Sequence, residues 1–155
     1  MQSRTRWWWL KVGCGFALIL AMLIPAGPWP RWSIPTLPAQ IIAVGGGLLV
    51  LYHHRLLRRA NQTIWQPARL LAWGGLYRWV RHPMYLGDGI LYLGLACLGP
   101  LPVSLPLLLL AWMALYRQAR FEDRLMADRF PEDFKQWQQH SGLLWPGGLW
   151  SAGSS

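Results

Sequence analysis

Met84-Tyr85-Leu86-Gly87-Asp88-Gly89-Ile90-Leu91-Tyr92-Leu93-Gly94-Leu95-Ala96-Cys97-Leu98 is an apolar run broken only by Asp88, and Gly99-Pro100-Leu101-Pro102 turns it into a second run that ends near Tyr116. Glycine and proline at the junction stop one helix and start another, so the pair reads as a tight helical hairpin. Two further runs lie upstream. Val12 to Ile24 is unbroken and reaches about 18 residues when Trp7 to Leu10 and a snorkelling Lys11 are counted with it. The other covers Leu37 to Tyr52, and Pro25-Ala26-Gly27-Pro28-Trp29-Pro30 divides the two. The pattern predicts an all-α polytopic membrane bundle forming a single domain, with about four transmembrane helices over residues 7–24, 37–52, 84–98 and 101–116. Each is near the short end of what a bilayer needs, so flanking polar residues extend them.

Composition points the same way. Of 155 residues, 54% are hydrophobic and only 14% charged, which excludes a disordered basic tail. The 15 Lys and Arg outweigh 6 Asp and Glu, yet they cluster between apolar runs instead of spreading over a charge-rich surface, so nucleic acid is not the expected partner. The lipid bilayer is. By the positive-inside rule, Arg4, Arg6 and Lys11, then Arg55, Arg58, Arg59, Arg69, Arg78 and Arg81, then Arg117, Arg120, Arg124, Arg129 and Lys135 share one side, leaving only Arg31 on the other. Both termini are therefore expected in the cytoplasm, with cytoplasmic segments over 53–83 and 117–155, and the membrane is expected to be the plasma (inner) membrane. A cleaved signal peptide fits poorly, because Ile24-Pro25-Ala26 lacks a small first residue, and Cys14 precedes its apolar run instead of following it.

Several features receive a structural reading. Cys14 and Cys97 suit small apolar helix positions, with no metal spacing or disulfide framework. Trp7, Trp8, Trp9, Trp29, Trp32, Trp79 and Trp112 lie near span ends and read as interface anchors. His53 and His54 abut Arg55 and belong with the basic cluster. Gly45-Gly46-Gly47 permits close helix packing or a bend. His140 is assigned no role, and no metal site is expected.

Chemistry is expected in the two cytoplasmic segments. Pro83 suits the first turn of a helix capped by His82, whose open amides at Met84, Tyr85 and Leu86, with Arg81 nearby, form a field for a small anion. Tyr77 and Tyr85 offer flat faces to an aromatic ring. Span four continues as a cytoplasmic helix until Pro131, which puts Gln118 and Glu122 on one face. Five of the six acids lie between Glu122 and Asp133, and the sixth, Asp88, is expected in the first turn of span three. Acids on the extension should approach Arg81 and His82. A basic-aromatic anchor and a salt-bridged helix face are the competing explanations.

Arg81-His82-Pro83-x-Tyr85-x-Gly87, with Glu122-Asp123 eight residues before Phe130, then Glu132-Asp133-Phe134 and Pro146, resembles the isoprenylcysteine carboxyl methyltransferase and phospholipid methyltransferase superfamily of integral membrane enzymes. The likeness covers about residues 62–146. It implies S-adenosyl-L-methionine as cofactor, held at the cytoplasmic end, and a lipophilic acceptor (carboxylate, amine or thiol) arriving from the bilayer. Carried over by position, Gln62, Arg69, Leu70, Leu71, Ala72, Tyr77, Arg81, His82, Pro83, Met84, Tyr85 and Glu122 line the cofactor. Glu122 and Arg117 are the catalytic candidates. The likeness departs at Gln118, where the prenylcysteine enzymes carry arginine, at Leu143, and at Phe134 and Trp137 in place of tyrosines. The alternatives are a non-catalytic lipid-binding or assembly subunit of the same fold and a relative of the sterol reductases, which are larger.

Overall fold

The computed structural model describes residues 2–25, 27–59 and 75–146. Its elements are α1 (Gln2–Met22), α2 (Thr36–Arg59), a 3₁₀ turn (Gly75–Arg78), α3 (Pro83–Leu98), α4 (Leu101–Arg129) and α5 (Pro131–His140). The expected all-helical class holds, and prolines set the helix starts: Pro83, Pro102 and Pro131 each stand in the first two positions, where a missing N–H costs nothing. The hairpin closes where the Gly99 N–H donates to Ala96 O at 3.1 Å, and Leu101 N–H reaches Pro30 O at 2.8 Å. At about 1.5 Å per residue, α4 is about 44 Å long, more than the ~30 Å hydrocarbon core, so its last turns project beyond an apolar slab. It runs unbroken to Arg129, as the position of Pro131 predicts.

Two helices, over Thr36–Arg58 and Leu101–Arg129, are long and apolar enough to cross a membrane, whereas α3, with 16 residues, is apolar but short. The expectation of four spans is therefore met directly by two. The outer surface supports a membrane setting: Phe16, Leu20, Leu23, Leu37, Ile41, Val44, Leu48 and Leu109 are all more than 60% exposed. In water such a belt would drive aggregation.

The boundaries differ from expectation at two places. The second helix runs seven residues past Tyr52, because His53 is packed inside the bundle and not at a solvated loop entrance. Lys11 does not snorkel. It turns inward, and its Nζ lies 2.7 Å from Asp88 Oδ2 between α1 and α3. Asp88 itself sits in the second turn of α3, one turn later than expected.

The helices α2 and α3 pack most intimately. A Cβ at Gly46 would strike the backbone N of Leu91, one at Gly94 the backbone N of Ala43, and one at Gly87 would lie 2.9 Å from Val50 Cγ2. Only glycine permits that approach. Gly45 and Gly47 face open space, so Gly46 alone of the triplet makes the contact. Elsewhere Cys14, Leu18, Tyr92, Ala96, Leu108, Ala111 and Leu115 form a core among α1, α3 and α4, with both cysteines free and buried. A second core at the far end holds Tyr77, Met126, Phe134 and Trp137. Trp8, Trp9, Trp29 and Trp79 are exposed as anchors should be. Trp32 and Trp112 are not: the first donates Nε1–H to Ser104 Oγ at 3.1 Å, and the second stacks on Trp145 at 6.1 Å.

Candidate active site

The site forms where the start of α3 meets the projecting part of α4. Residues 79–82 run beside residues 142–143: Gly142 N–H donates to Trp79 O at 2.9 Å, Arg81 N–H to Gly142 O at 2.8 Å, and His82 N–H to Leu143 O at 3.2 Å. This clip fixes the backbone before Pro83. The His82 side chain makes no cap bond. Its Nε2 instead donates to Asp123 Oδ1 at 2.8 Å, while Arg81 Nε donates to Asp123 Oδ2 at 3.1 Å. Arg81 also binds the Ser141 carbonyl. The acids of α4 thus approach the basic helix start as the pattern predicted, with Asp123 as the direct partner.

Glu122 has different company. Its Oε1 accepts from Tyr85 OH at 2.7 Å and from Gln118 Nε2 at 2.8 Å, both neutral donors. Its Oε2 lies 3.6 Å from His82 Nδ1, beyond hydrogen-bond length. Asp123 is held by a guanidinium and an imidazole, whereas among the described residues no Lys or Arg pairs with Glu122. Aromatic faces adjoin it: Tyr85 stacks on His82 with ring centroids 5.5 Å apart. On the α1 side, Lys11 Nζ lies 4.5 Å from the centre of the Tyr85 ring. Burial and the Glu122 charge both push the Tyr77 phenol pKa well above its ordinary value, so it stays a neutral hydroxyl.

Among the described residues, four buried side-chain atoms lack hydrogen-bond partners: His53 Nε2, Tyr77 OH, His82 Nδ1 and Gln118 Oε1. Each such atom costs about 1–3 kcal/mol if it stays dry and unpaired. Two belong to His82 and Gln118, which flank Glu122, and two to the adjoining rings of His53 and Tyr77.

Of the residues carried over by resemblance, Tyr77, Arg81, His82, Pro83 and Tyr85 are buried around this cluster, and Met84 is half-buried next to it. Gln62, Arg69, Leu70, Leu71 and Ala72 lie outside the described residues. Of the amides expected to stay open, that of Leu86 is taken by His82 O at 3.1 Å. Arg117 is not in the cluster. It is exposed, with its guanidinium 5.7 Å from the centre of the Trp7 ring, and Gln118 is the residue that turns inward. His53, grouped with the basic cluster in the sequence reading, is fully buried and packs edge-on against Tyr77 at 5.5 Å. Its sequence neighbours give no hint of that, because burial comes from the turn at Gly75–Arg78.

A model of the phospholipid methyltransferase family matches residues 38–133, from the second residue after the start of α2 into the first turn of α5. The chain belongs to this family. Its membership indicates a membrane methyltransferase in general terms. Neither a curated protein nor a solved structure gives a match. The matched region contains every residue of the Arg81–His82–Tyr85–Gln118–Glu122–Asp123 cluster, whereas α1, with Lys11, lies outside it.

Proposed function

We propose that the protein is an S-adenosyl-L-methionine-dependent methyltransferase acting on a lipophilic or amphiphilic acceptor that carries a carboxylate, amine or thiol. It spans the plasma (inner) membrane four times, with both termini and the site in the cytoplasm. One observation carries the reading: a carboxylate, Glu122, held in place by neutral donors and walled by aromatic rings, with no Lys or Arg paired to it among the described residues. Such a carboxylate suits a positively charged ligand.

The four unpartnered atoms fit a ligand rich in polar groups. When bound, the methyl donor supplies a methyl group on a positively charged sulfonium. The chain's own residues bind and orient. Glu122 faces the sulfonium or ammonium charge, Tyr77 and Tyr85 present ring faces, the α3 start suits a carboxylate, and His82 Nδ1, a lone pair while Nε2 carries the hydrogen to Asp123, accepts from an N–H or O–H of the ligand. In-line displacement needs alignment and dryness more than proton chemistry, and the packed apolar helices exclude water. Glu122 Oε2 also lies open to orient an acceptor that carries a proton.

The membrane arrangement has its own support. Pairing with Asp88 compensates the Lys11 charge inside α1, the main obstacle to that helix crossing the bilayer. Of the other fourteen basic residues, thirteen fall on the side assigned to the cytoplasm.

The test is calorimetric titration of the detergent-solubilised protein with S-adenosyl-L-methionine. Wild type should bind, and Glu122→Ala or His82→Ala should weaken binding by roughly 10- to 100-fold, the equivalent of about 1.5–3 kcal/mol for a charged hydrogen bond. Folded wild type that binds nothing sinks the proposal. Labelled methyl donor supplied to membranes with and without the protein then names the acceptor.

A further inference from the structure

His53 is the buried titratable side chain that the reading above does not use. It stands on α2, is fully buried, and its Nδ1 lies 2.9 Å from Leu49 O. A carbonyl can only accept, so Nδ1 carries the hydrogen and the neutral ring leaves Nε2 as a bare lone pair. That lone pair has no partner. The ring next to it belongs to Tyr77, edge-on at 5.5 Å and 77°, and the Tyr77 hydroxyl is likewise buried without a partner. Two orphaned polar atoms on adjoining rings are not required by packing, because leucine or phenylalanine would fill both places at lower cost. Nor are they remote from the site, since Tyr77 shares a core with Phe134, over whose ring the Arg81 guanidinium lies at 5.9 Å.

We propose that His53 Nε2 and Tyr77 OH form a polar subsite, between α2 and the Gly75–Arg78 turn, for a hydroxyl or N–H group of a bound substrate. The polarity follows from the tautomer. A lone pair at Nε2 accepts and does not donate, so the matching ligand group must carry a hydrogen, while the Tyr77 hydroxyl rotates to give or receive the second bond. An ionised carboxylate is refused at His53. The subsite extends the Glu122 site onto α2 and rests on the methyltransferase reading above. The group it holds comes from either the methyl donor, which carries hydroxyls and an amino group, or the acceptor.

The test uses the full chain in detergent with S-adenosylhomocysteine as probe, together with methyl incorporation from labelled S-adenosyl-L-methionine in membranes. Tyr77→Phe removes a hydroxyl with no partner among the described residues, and His53→Leu removes the unpartnered Nε2 together with the local Nδ1–H bond to Leu49 O, so the thermal midpoint of the protein alone should hold or rise for the first and change little for the second. If the donor occupies the subsite, affinity for the probe falls at least tenfold in both, and His53→Gln, which keeps an acceptor atom, recovers part of it. If the acceptor occupies it, probe affinity holds and methyl incorporation at limiting acceptor falls at least tenfold. Affinity and incorporation both within twofold of wild type for the His53 variants overturn the proposal and leave the methyltransferase reading standing. Failure of wild type to bind the probe or transfer methyl overturns that reading instead. Should His53→Leu not fold, His53→Phe keeps an aromatic ring, one atom larger, without the nitrogens.

Discussion

The two faces of α3 do opposite work. Towards α2 it presents Gly87 and Gly94, and the seam is so close that backbone meets backbone. Towards α4 and α1 it presents Tyr85, Asp88 and, at its cap, His82, each with its side chain in a polar contact. The first face is specified by the absence of side chains, the second by which ones are present. The close seam on one face fixes the distance of α3 from α2, and the contacts on the other set where Tyr85 and His82 stand against Glu122 and Asp123.

The contrast can be broken most severely at the seam. Gly94→Leu would drive a side chain into the Ala43 backbone, which cannot rotate away, and should cost at least about 3 kcal/mol. Size-exclusion chromatography in detergent should show loss of the monodisperse species. On the polar face, Asp123→Asn leaves the Arg81 guanidinium buried with no counter-charge, so the thermal midpoint should fall by the equivalent of about 3 kcal/mol. Glu122→Gln should do neither. Its neighbours are neutral, so the fold should keep its thermal midpoint while affinity for S-adenosyl-L-methionine falls at least tenfold, roughly 1.4 kcal/mol. A smaller effect is expected from Tyr85→Phe, which frees one oxygen of Glu122 from one of two donors and should weaken donor binding about fivefold, near 1 kcal/mol. Smallest of all, Arg117→Ala removes an exposed contact with Trp7 and should shift the midpoint by no more than about 0.5–1 kcal/mol. If Arg117→Ala instead matched Glu122→Gln in lost affinity, the division between inward Gln118 and outward Arg117 would be wrong.

Local rules made much of this readable from the chain. Pro83 and Pro131 start helices because proline suits first turns, Gly99-Pro100 closes a hairpin, and the four-residue spacing of Gln118 and Glu122 puts them on one helix face. What escaped depends on rotation and on distant partners. Successive residues of a helix point about 100° apart, so sequence alone could not tell whether Arg117 or Gln118 turned inward, nor which of Glu122 and Asp123 met His82. Lys11 resembles a snorkelling residue until Asp88, 77 positions away, is brought beside it. His53 resembles part of a basic flank until the Gly75–Arg78 turn covers it.

The clip between residues 79–82 and 142–143 sets an order of events during synthesis. The helices α1 to α4 can form and pack as they emerge, but the backbone before Pro83 has its partners only once Gly142 and Leu143 exist. Ser141, which takes the Arg81 guanidinium, arrives in the same short stretch. A nascent chain halted before residue 141 would therefore hold packed helices while the backbone that carries Arg81 and His82 was still unset.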